Sequence, residues 1–411
     1  EPPAHMMEPG FADEPLKIET VLAEIQSANP QLRAASARWE ATKERLPQAA
    51  AWDDPRVGVD IERNNRRLFS YNDAEWMISQ SIPITGKISR RKRAASAEIA
   101  GAAAMLQKVE LDLEMRARAG YFRLANAEAQ LVVNTRTLSL LRQIVEVTRA
   151  KYESGRQRQG DVLMAETELA RVEEARADLL RGYAEAQTAL NSLMNHPPQA
   201  PLGHATLPEF APMDVSLESL QGRALTHRPQ LAAADARIAA AQARVSLAER
   251  DRYPDPEIRV EARQFNGSAL YNLHEFDTGV FISVPWANGG KYRAAIREAK
   301  KMAESETEDR KALEIETSAM VRDVWQRLET YRHHVELFHD RLLPLARQTV
   351  DAMRTSYEAD RATLPEVLAA ERTARETEGM FYDHLAEYFS ARAELIPLTA
   401  TSAWPPAPAQ P

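Results

Sequence analysis

The sequence predicts a mainly α-helical fold that is built twice, with two β-strands in each half. Two long segments, one from Lys87 and one from Lys291, are rich in alanine and charged residues and contain almost no proline. Two shorter segments that alternate apolar and charged residues precede each of them. The same landmarks recur in the same order about two hundred residues apart, which is typical of an internal duplication.

Composition and charge narrow the possible functions. The 411-residue chain has a net charge of −8 at pH 7, so we expect no nucleic-acid partner. It contains no cysteine, which excludes disulfides and thiolate metal sites. No window of about 18 apolar residues is present, so no transmembrane helix is predicted. The chain begins at Glu1 without a visible signal peptide, as a cleaved precursor would. Whether a lipid anchor lies upstream of Glu1 stays open.

The duplication sets the domain organisation. Asp54-Pro55 matches Asp255-Pro256, and the tyrosine-bearing stretch at 151–155 matches the stretch at 356–360. Chance similarity between two helical segments would not keep strand, turn and tyrosine landmarks in one order. The predicted segments are a tail and first segment at 1–28, a first repeat at 29–196, a linker and equatorial segment at 197–228, a second repeat at 229–397 and a proline-rich tail at 398–411.

Each repeat opens with a predicted helix of about 20 residues, 31–51 in the first and 230–250 in the second. Two segments with alternating apolar and charged residues follow, which is typical of half-buried strands. The segments between them carry Asn, Gly and Ser, as hairpin connections do. The predicted strands are 57–62, 75–82, 258–263 and 278–284.

A short motif joins strand to helix in each half: SIPITGK at 81–87 and SVPWANGGK at 283–291. The proline of each motif cannot donate a hydrogen bond to a strand ladder, so it marks where strand pairing stops. The glycine before the lysine permits the turn that starts the helix. The predicted junction residues are Pro83, Gly86 and Lys87 in the first half and Pro285, Gly290 and Lys291 in the second.

Each junction opens a long helical hairpin. No proline interrupts the chain from Lys87 to about Ala150, and the matching segment from Lys291 to about Thr355 holds only Pro344. At 1.5 Å per residue such a helix is about 95 Å long. A tyrosine-bearing turn and a returning helix of about 33 residues follow, and apolar residues at heptad spacing on this helix indicate a coiled-coil seam. The seam residues are Val162, Ala165, Leu169, Val172, Leu179, Tyr183, Ala186, Leu190 and Leu193.

The four strands of one chain are too few to close a barrel, because closure needs about eight. Three chains would supply twelve strands, with the apolar faces toward lipid and the charged faces toward a wet lumen. The alternative is a small amphipathic sheet packed on the helices of a soluble scaffold. The candidate lumen residues are Asp60, Glu62, Arg259, Glu261 and Arg263.

The order of helix, two strands, Pro–Gly–Lys junction, long helix, Tyr-x-x-Gly turn and returning helix, present twice, resembles the outer-membrane factor family of TolC-like channels. The resemblance covers roughly residues 16–397. It implies a homotrimer with a twelve-stranded barrel in the bacterial outer membrane and a long α-helical tunnel in the periplasm. It also implies the exit duct of a tripartite pump, with a periplasmic adaptor (membrane fusion protein) and an inner-membrane transporter. Each junction would then be the crossing from barrel to tunnel.

The SIPITGK motif with its following basic run looks most like the CzcC-like branch, which implies heavy-metal export with an RND-type transporter. The basic run at 87–93 would lie just below the bilayer and meet outer-membrane lipid phosphates, unless it is a solvated face paired with acids on a neighbouring helix. A duct for drug efflux or protein secretion remains an alternative. A soluble periplasmic scaffold or adaptor is the alternative from another class, although an adaptor is expected to carry one central hairpin.

The resemblance also implies a narrowing of the tunnel at the hairpin turns, formed by carboxylates on the helix after each turn. This sequence departs from the family pattern at two positions of the narrowing. Ala369 stands where a second acid is expected, and Asp360 stands where the glycine of the turn is expected. Acids at these positions would equally cap their helices. The implied aperture residues are Asp161, Glu366, Arg156, Arg158 and Arg361. The implied adaptor contacts at the hairpin tips are Tyr152, Gly155, Tyr357 and Asp360.

The candidate metal ligands do not have the spacing of a metal site. His333, His334 and His339 lie on the second long helix, but no two of them are four residues apart, as a zinc pair on a helix requires. No nucleophile with a base, glycine-rich phosphate loop or cofactor motif is present. We therefore expect no enzymatic activity, no cofactor and no resident metal. A metal-exporting duct needs only weak binding, since the ion must leave again.

Overall fold

The computed structural model describes residues 14–62, 73–265, 273–359 and 361–400. The described chain is mainly helical, and the order of helix, two strands, long helix and returning helix occurs twice, as the predicted duplication requires. None of the described helices is both long and apolar enough to cross a membrane. The helices are α1 (Ile18–Ala28), α2 (Pro30–Lys43), α3 (Arg45–Ala50), α4 (Lys87–Glu153), α5 (Gln159–Met194), α6 (Leu217–His227), α7 (Pro229–Asp251), α8 (Gly289–Leu337), α9 (Leu343–Glu358) and α10 (Leu364–Thr399).

The strands are β1 (Arg56–Glu62), β2 (Asp73–Ser81), β3 (Pro256–Phe265) and β4 (Leu273–Ile282). They form one antiparallel sheet in the order β1-β2-β3-β4. The central pairing joins the two halves, because β2 of the first half pairs with β3 of the second and places Ile78 opposite Val260. β1 and β4 are the outer strands, so within the described residues each has one edge without a strand partner.

The two long helical segments differ in continuity. α4 runs unbroken for 67 residues, as predicted. The matching segment consists of α8, a π-helical segment at Phe338–Leu342 and α9. The second long segment is therefore helical, as predicted, but it contains a π-helical turn just before Pro344, the proline that the sequence places in it. Pro344 has no N–H, and its ring crowds the carbonyl four residues earlier, so the hydrogen-bond pattern changes in the preceding turn.

One of two compact units contains the described residues of segments 14–34, 107–229 and 315–400. Its core holds packed aromatic rings: the Phe122 and Phe389 centroids lie 5.3 Å apart, and those of Tyr388 and Phe389 lie 5.4 Å apart. The buried Tyr388 hydroxyl donates to the Ala211 carbonyl at 3.1 Å. The predicted seam is confirmed as a packing surface, with Leu169, Leu179, Ala186 and Leu193 half-buried and Val162, Ala165, Val172, Tyr183 and Leu190 buried.

The other unit contains the described residues of segments 35–106 and 230–314 and holds the whole sheet. Its helices pack through small side chains, because small residues allow close approach. A Cβ added at Gly101 would lie 3.3 Å from the Ala236 Cβ. An ion pair of Arg244 with Glu98 joins two of these helices at their surfaces. This packing holds the sheet and both junctions. The buried alanines are Ala35, Ala94, Ala95, Ala233, Ala234, Ala240, Ala241 and Ala243.

Candidate functional site

One face of the sheet is apolar and exposed across all four strands. Because the pairing keeps the alternation in register, Val59, Trp76, Ala262 and Phe276 form one row across it. Phe276 is 77% exposed in the single chain. Soluble monomers rarely expose so large a continuous apolar surface, so this face is suited to contact with lipid or protein. Its large exposed residues are Val57, Val59, Ile61, Trp76, Ile78, Ile258, Val260, Phe276, Val280 and Ile282.

The opposite face of the sheet carries charge of both signs. The Arg263 guanidinium pairs with Glu75 at 3.1 Å, and Arg259 pairs with Glu261 at 3.5 Å. Sequence reasoning missed Glu75, because its strand alternates less regularly than the others. The structure places the predicted lumen residues Asp60, Arg259, Glu261 and Arg263 on this one face. Glu62 ends β1, and its side chain lies outside the described residues.

The first junction is held by a contact between the two halves. Gly86 has a φ of 76°, the left-handed region that glycine enters without strain, so it supplies the predicted turn. The Lys87 ammonium then pairs with the Asp255 carboxylate at 2.9 Å. The backbone N–H and the hydroxyl of Thr85 donate to the same carboxylate at 3.1 and 2.7 Å. The junction of the first half is thereby tied to the residue that precedes β3.

Asp255 is a functional candidate that sequence reasoning did not assign. Burial raises the pKa of its carboxyl, but the hydrogen bonds from Thr85 and Lys87 outweigh this and hold the pKa below its ordinary value. The carboxylate is therefore charged and fully engaged at neutral pH. The sequence feature that could have pointed to Asp255 is the Asp-Pro pair before the first strand of each repeat.

The second junction has a different geometry. Pro285–Asn288 forms a 3₁₀ turn, and α8 begins directly after it at Gly289. The expectation that Gly290 supplies the turn is wrong, because Gly290 already lies in the first turn of α8. The two additional residues of SVPWANGGK redirect the chain through the 3₁₀ turn, so no left-handed glycine is needed. Pro285 is buried, whereas Lys291 is exposed.

The hairpin turns also differ between the halves. Gly155 has a φ of 74°, and its N–H donates to the Tyr152 carbonyl at 2.9 Å. Tyr152 is exposed. Tyr357 is buried instead, with the Lys151 ammonium 4.2 Å from its ring centroid. Tyr357 therefore packs within the hairpin, and Tyr152 is the tyrosine whose side chain is open to a partner. Asp360 lies outside the described residues.

Both candidate aperture acids cap their own helices. The Glu366 carboxylate accepts from the N–H and the hydroxyl of Thr363 at 2.7 and 2.9 Å. The backbone hydrogen bond and then the hydroxyl bond lower the pKa of Glu366. Asp161 accepts from the Gln157 amide at 2.9 Å and from the Arg158 N–H at 3.4 Å. Glu366 therefore remains charged at neutral pH, and its side chain is exposed.

The arginines expected to hold these acids are placed differently. Within the described residues no ion pair links Asp161 or Glu366 to the side chains of Arg156, Arg158 or Arg361. Arg361 instead donates its backbone N–H to the Ser356 carbonyl at 2.7 Å and so shapes the second turn. An acid–arginine contact at this end of the hairpins joins Arg149 to Glu166 at 2.7 Å. The structure places each acid at the start of its returning helix, and among the described residues the side chains of the predicted arginines form no ion pair with either acid.

The basic run after the first junction is partly paired within the chain. Arg90 donates to the Gly86 carbonyl at 2.9 Å, and Arg91 pairs with Asp53 at 3.6 Å. Together with the ion pair of Lys87, these contacts compensate the unfavourable interaction between the basic side chains and the helix dipole at the start of α4.

The histidines of the second long helix contact other side chains of the chain. The His334 ring centroid lies 4.6 Å from that of His384 on α10, and His339 contacts Asp340 at 2.8 Å. In the part of the chain that the structure describes, no group of three or more His, Cys, Asp or Glu side chains is placed to hold a metal ion.

Comparison with known proteins supports the fold and the family. The chain is 26% identical over 373 residues to the cobalt-zinc-cadmium resistance protein CzcC of Cupriavidus metallidurans, covering 89% of this chain and 85% of that protein. Its fold resembles the crystal structure of the outer membrane protein VceC of Vibrio cholerae, with a TM-score of 0.77, 20% identity and coverage of 93% of this chain and 95% of VceC. It also resembles CusC, with a TM-score of 0.79, 16% identity and coverage of 96% and 95%.

The family assignment rests on both repeats. The outer membrane efflux protein family matches residues 21–196 and 220–401, so the match includes all four strands, both junctions and both hairpins. The predicted resemblance is confirmed, and it favours an outer-membrane channel over a soluble scaffold. The chain belongs to the outer membrane efflux protein family and is located in the bacterial outer membrane, with a long periplasmic portion.

Proposed function

We propose that three copies of this chain form the exit duct of a tripartite efflux pump, with their twelve strands closed into one barrel. The observation that carries the proposal is the four-stranded sheet, which has an exposed apolar face and a charged face and whose outer strands each have one edge without a partner among the described residues. Four strands cannot close on themselves, and an open amphipathic edge in water invites pairing with another chain. Twelve strands are enough to close.

The two faces of the sheet determine how the barrel would sit. Val59, Val260 and Ile282 would face lipid, where an apolar side chain is stable. Asp60 and Arg259 would face the lumen, where water solvates them. The ion pairs of Arg259 with Glu261 and of Arg263 with Glu75 reduce the charge that a passing ion meets. The lumen would therefore be polar without a strong field of one sign.

We assign the transported substrate to heavy-metal cations, with a periplasmic adaptor and an inner-membrane RND-type transporter as partners. Support comes from the similarity to a cobalt-zinc-cadmium resistance protein along most of both chains. The exposed Glu366 and the capping acid Asp161 would form acidic rings at the periplasmic mouth in a trimer, which favours cations. Arg156, Arg158 and Arg361 would lie around these rings. Tyr152 and Gly155, at the first hairpin turn, would contact the adaptor's helical tips.

The test is functional replacement in a Gram-negative strain whose own metal exit duct is deleted but whose adaptor and transporter remain. The chain should restore growth on zinc, cobalt or cadmium and lower the metal content of the cells. Restored resistance to antibiotics without any effect on metals would favour the drug-efflux alternative. A variant with charged substitutions at Val59 and Val260 is the control, since it should not assemble in the membrane and should restore neither.

A further inference from the structure

The duplication makes the central pair of strands a template for contacts between copies. Inside one chain, β2 of the first half pairs with β3 of the second half. β4 is the repeat equivalent of β2, and β1 is the repeat equivalent of β3. The two open edges of the sheet are therefore the repeat equivalents of its two central strands. In a second copy, β1 could therefore pair with β4 as β3 pairs with β2 inside one chain.

The correspondence can be given residue by residue. Ile78 lies five residues before Pro83, and Val280 lies five residues before Pro285. In the same way, Val260 lies four residues after the proline of Asp255-Pro256, and Val59 lies four residues after that of Asp54-Pro55. Ile78 and Val260 are direct partners in the β2–β3 pair. Their repeat equivalents are Val280 and Val59.

We propose that β4 pairs antiparallel with β1 of a neighbouring copy in one register, with Val280 opposite Val59 and Ile282 opposite Val57. The inference rests on the proposed trimeric barrel and specifies how its copies join. All four of these side chains are exposed in the single chain and lie on the apolar face. The register thus continues the apolar face from one copy to the next without interruption.

Slipped registers fit the side chains less well. A slip by one residue would place Val280 opposite Gly58 or Asp60 and exchange the two faces, which a sheet with one apolar face does not tolerate. A slip by two residues keeps the faces but changes the neighbours on the charged side. In the proposed register the half-exposed ring of Phe281 lies opposite Gly58, which has no side chain. Two-residue slips would instead place Phe281 opposite Arg56 or Asp60.

The junctions provide a second observation. Lys87 and Asp255 are largely buried against each other, with side-chain exposures of 14% and 12%. The repeat equivalent of Asp255 is Asp54, which is exposed, and Lys291 of the second junction is exposed as well. Within the described residues, neither Asp54 nor Lys291 forms an ion pair. By analogy with the pair of Lys87 and Asp255, Lys291 should form an ion pair with Asp54 of the neighbouring copy, next to the paired strands.

Disulfide trapping tests the register directly, because the chain has no cysteine of its own. Val280→Cys with Val59→Cys should give covalent dimers and trimers on mild oxidation in membranes. The slipped pairs, Val280→Cys with Ile61→Cys and Val280→Cys with Val57→Cys, should react at least several-fold more slowly. Ile78→Cys with Val260→Cys is the matched control for the template pair and should close within one chain. Faster trapping of either slipped pair would overturn the proposed register.

A charge exchange tests the junction contact. Asp54→Lys should lower the temperature at which the detergent-solubilised trimer dissociates, and adding Lys291→Asp to the same chain should restore it. A double variant no more stable than Asp54→Lys alone would overturn this contact. The mass of the unaltered protein in detergent distinguishes a failure of the proposed barrel from a failure of the proposed register. A stable monomer contradicts the proposed barrel itself, whereas a trimer that traps in a slipped register contradicts only the inference drawn from the template.

Discussion

Lys87 and Asp255 form a 2.9 Å ion pair that ties the first junction to the start of the second half's first strand. The same carboxylate accepts two hydrogen bonds from Thr85, so one largely buried carboxylate fixes the point where the strand ends and the helix begins. The two halves of the duplication are thus joined beside their central strands by a contact that neither half contains alone.

Replacing this acid should loosen the junction. We expect Asp255→Asn to destabilise the folded chain by on the order of 1–3 kcal/mol, since it leaves Lys87 partly buried without its counterion. Thermal unfolding in detergent, followed by circular dichroism, measures the change. Asp251→Asn, at an exposed position nearby, is the matched control and should have almost no effect. Equal unfolding temperatures for both variants would show that the ion pair does not stabilise the junction.

The same acid should make the stability depend on pH. Because folding lowers the pKa of Asp255, its contribution is fully present above the ordinary value of 3.8 and is lost as the pH falls through the lower folded pKa. The stability difference between wild type and Asp255→Asn should therefore be constant near neutral pH and shrink below about pH 4. Unfolding measured from pH 7 down to pH 3 checks it, and a difference that grows on acidification would contradict the assignment.

The two turn tyrosines should respond differently to truncation. Tyr152→Ala removes an exposed side chain, so it should weaken binding to a purified periplasmic adaptor and leave the unfolding temperature unchanged. Tyr357→Ala removes a buried ring and should destabilise the hairpin by on the order of 2–4 kcal/mol. Adaptor binding by surface plasmon resonance and thermal unfolding form the pair of measurements. Unchanged adaptor binding by the Tyr152 variant would remove that residue from the proposed contact.

The aperture acids have a structural role in each chain, so their test must separate capping from conduction. Glu366→Gln with Asp161→Asn should lower cation preference and weaken block by multivalent cations from the periplasmic side in planar bilayers. Thr363→Ala is the matched control, because it removes one hydrogen bond of the Glu366 cap but keeps the charge. It should cost about 1 kcal/mol of stability and leave ion selectivity unchanged. If the double variant conducts and blocks like wild type, the acids only cap their helices.

Chemical labelling of single-cysteine variants can show which face of the sheet meets lipid. Cysteine at Val59, Val260 or Ile282 should react with a maleimide confined to the lipid phase, since these residues share the apolar face. Cysteine at Asp60 or Arg259 should react with a small water-soluble maleimide that enters the lumen. Labelling of the Asp60 position from lipid, with the Val59 position protected, would reverse the faces.

Much of the fold could be predicted because the duplication shows every element twice. Strand faces followed from alternation, and the long helix α4 followed from a segment without proline. The π segment before Pro344 was missed, since sequence pattern does not show how a helix accommodates one proline. The role of Gly290 was misread because SVPWANGGK has two residues more than SIPITGK, and these form a 3₁₀ turn.

The contacts within the sites were harder to predict than the elements. The Asp255 pairing joins residues far apart in sequence, and no local pattern gives such a partner. The different exposure of Tyr152 and Tyr357 has the same origin, because equivalent positions of a duplicated chain meet different neighbours. The capping of α10 by Glu366 was foreseeable, since an acid in the first turn of a helix satisfies free N–H groups.

The mass of the purified, detergent-solubilised protein is the decisive measurement for the trimeric barrel. One chain has a mass of 46.1 kDa, and we expect a single species of three times that value that precipitates or aggregates when detergent is removed. This follows because the apolar face of each sheet would then lose its lipid or detergent cover. A stable, monodisperse species of 46.1 kDa in detergent-free buffer would contradict the trimeric barrel.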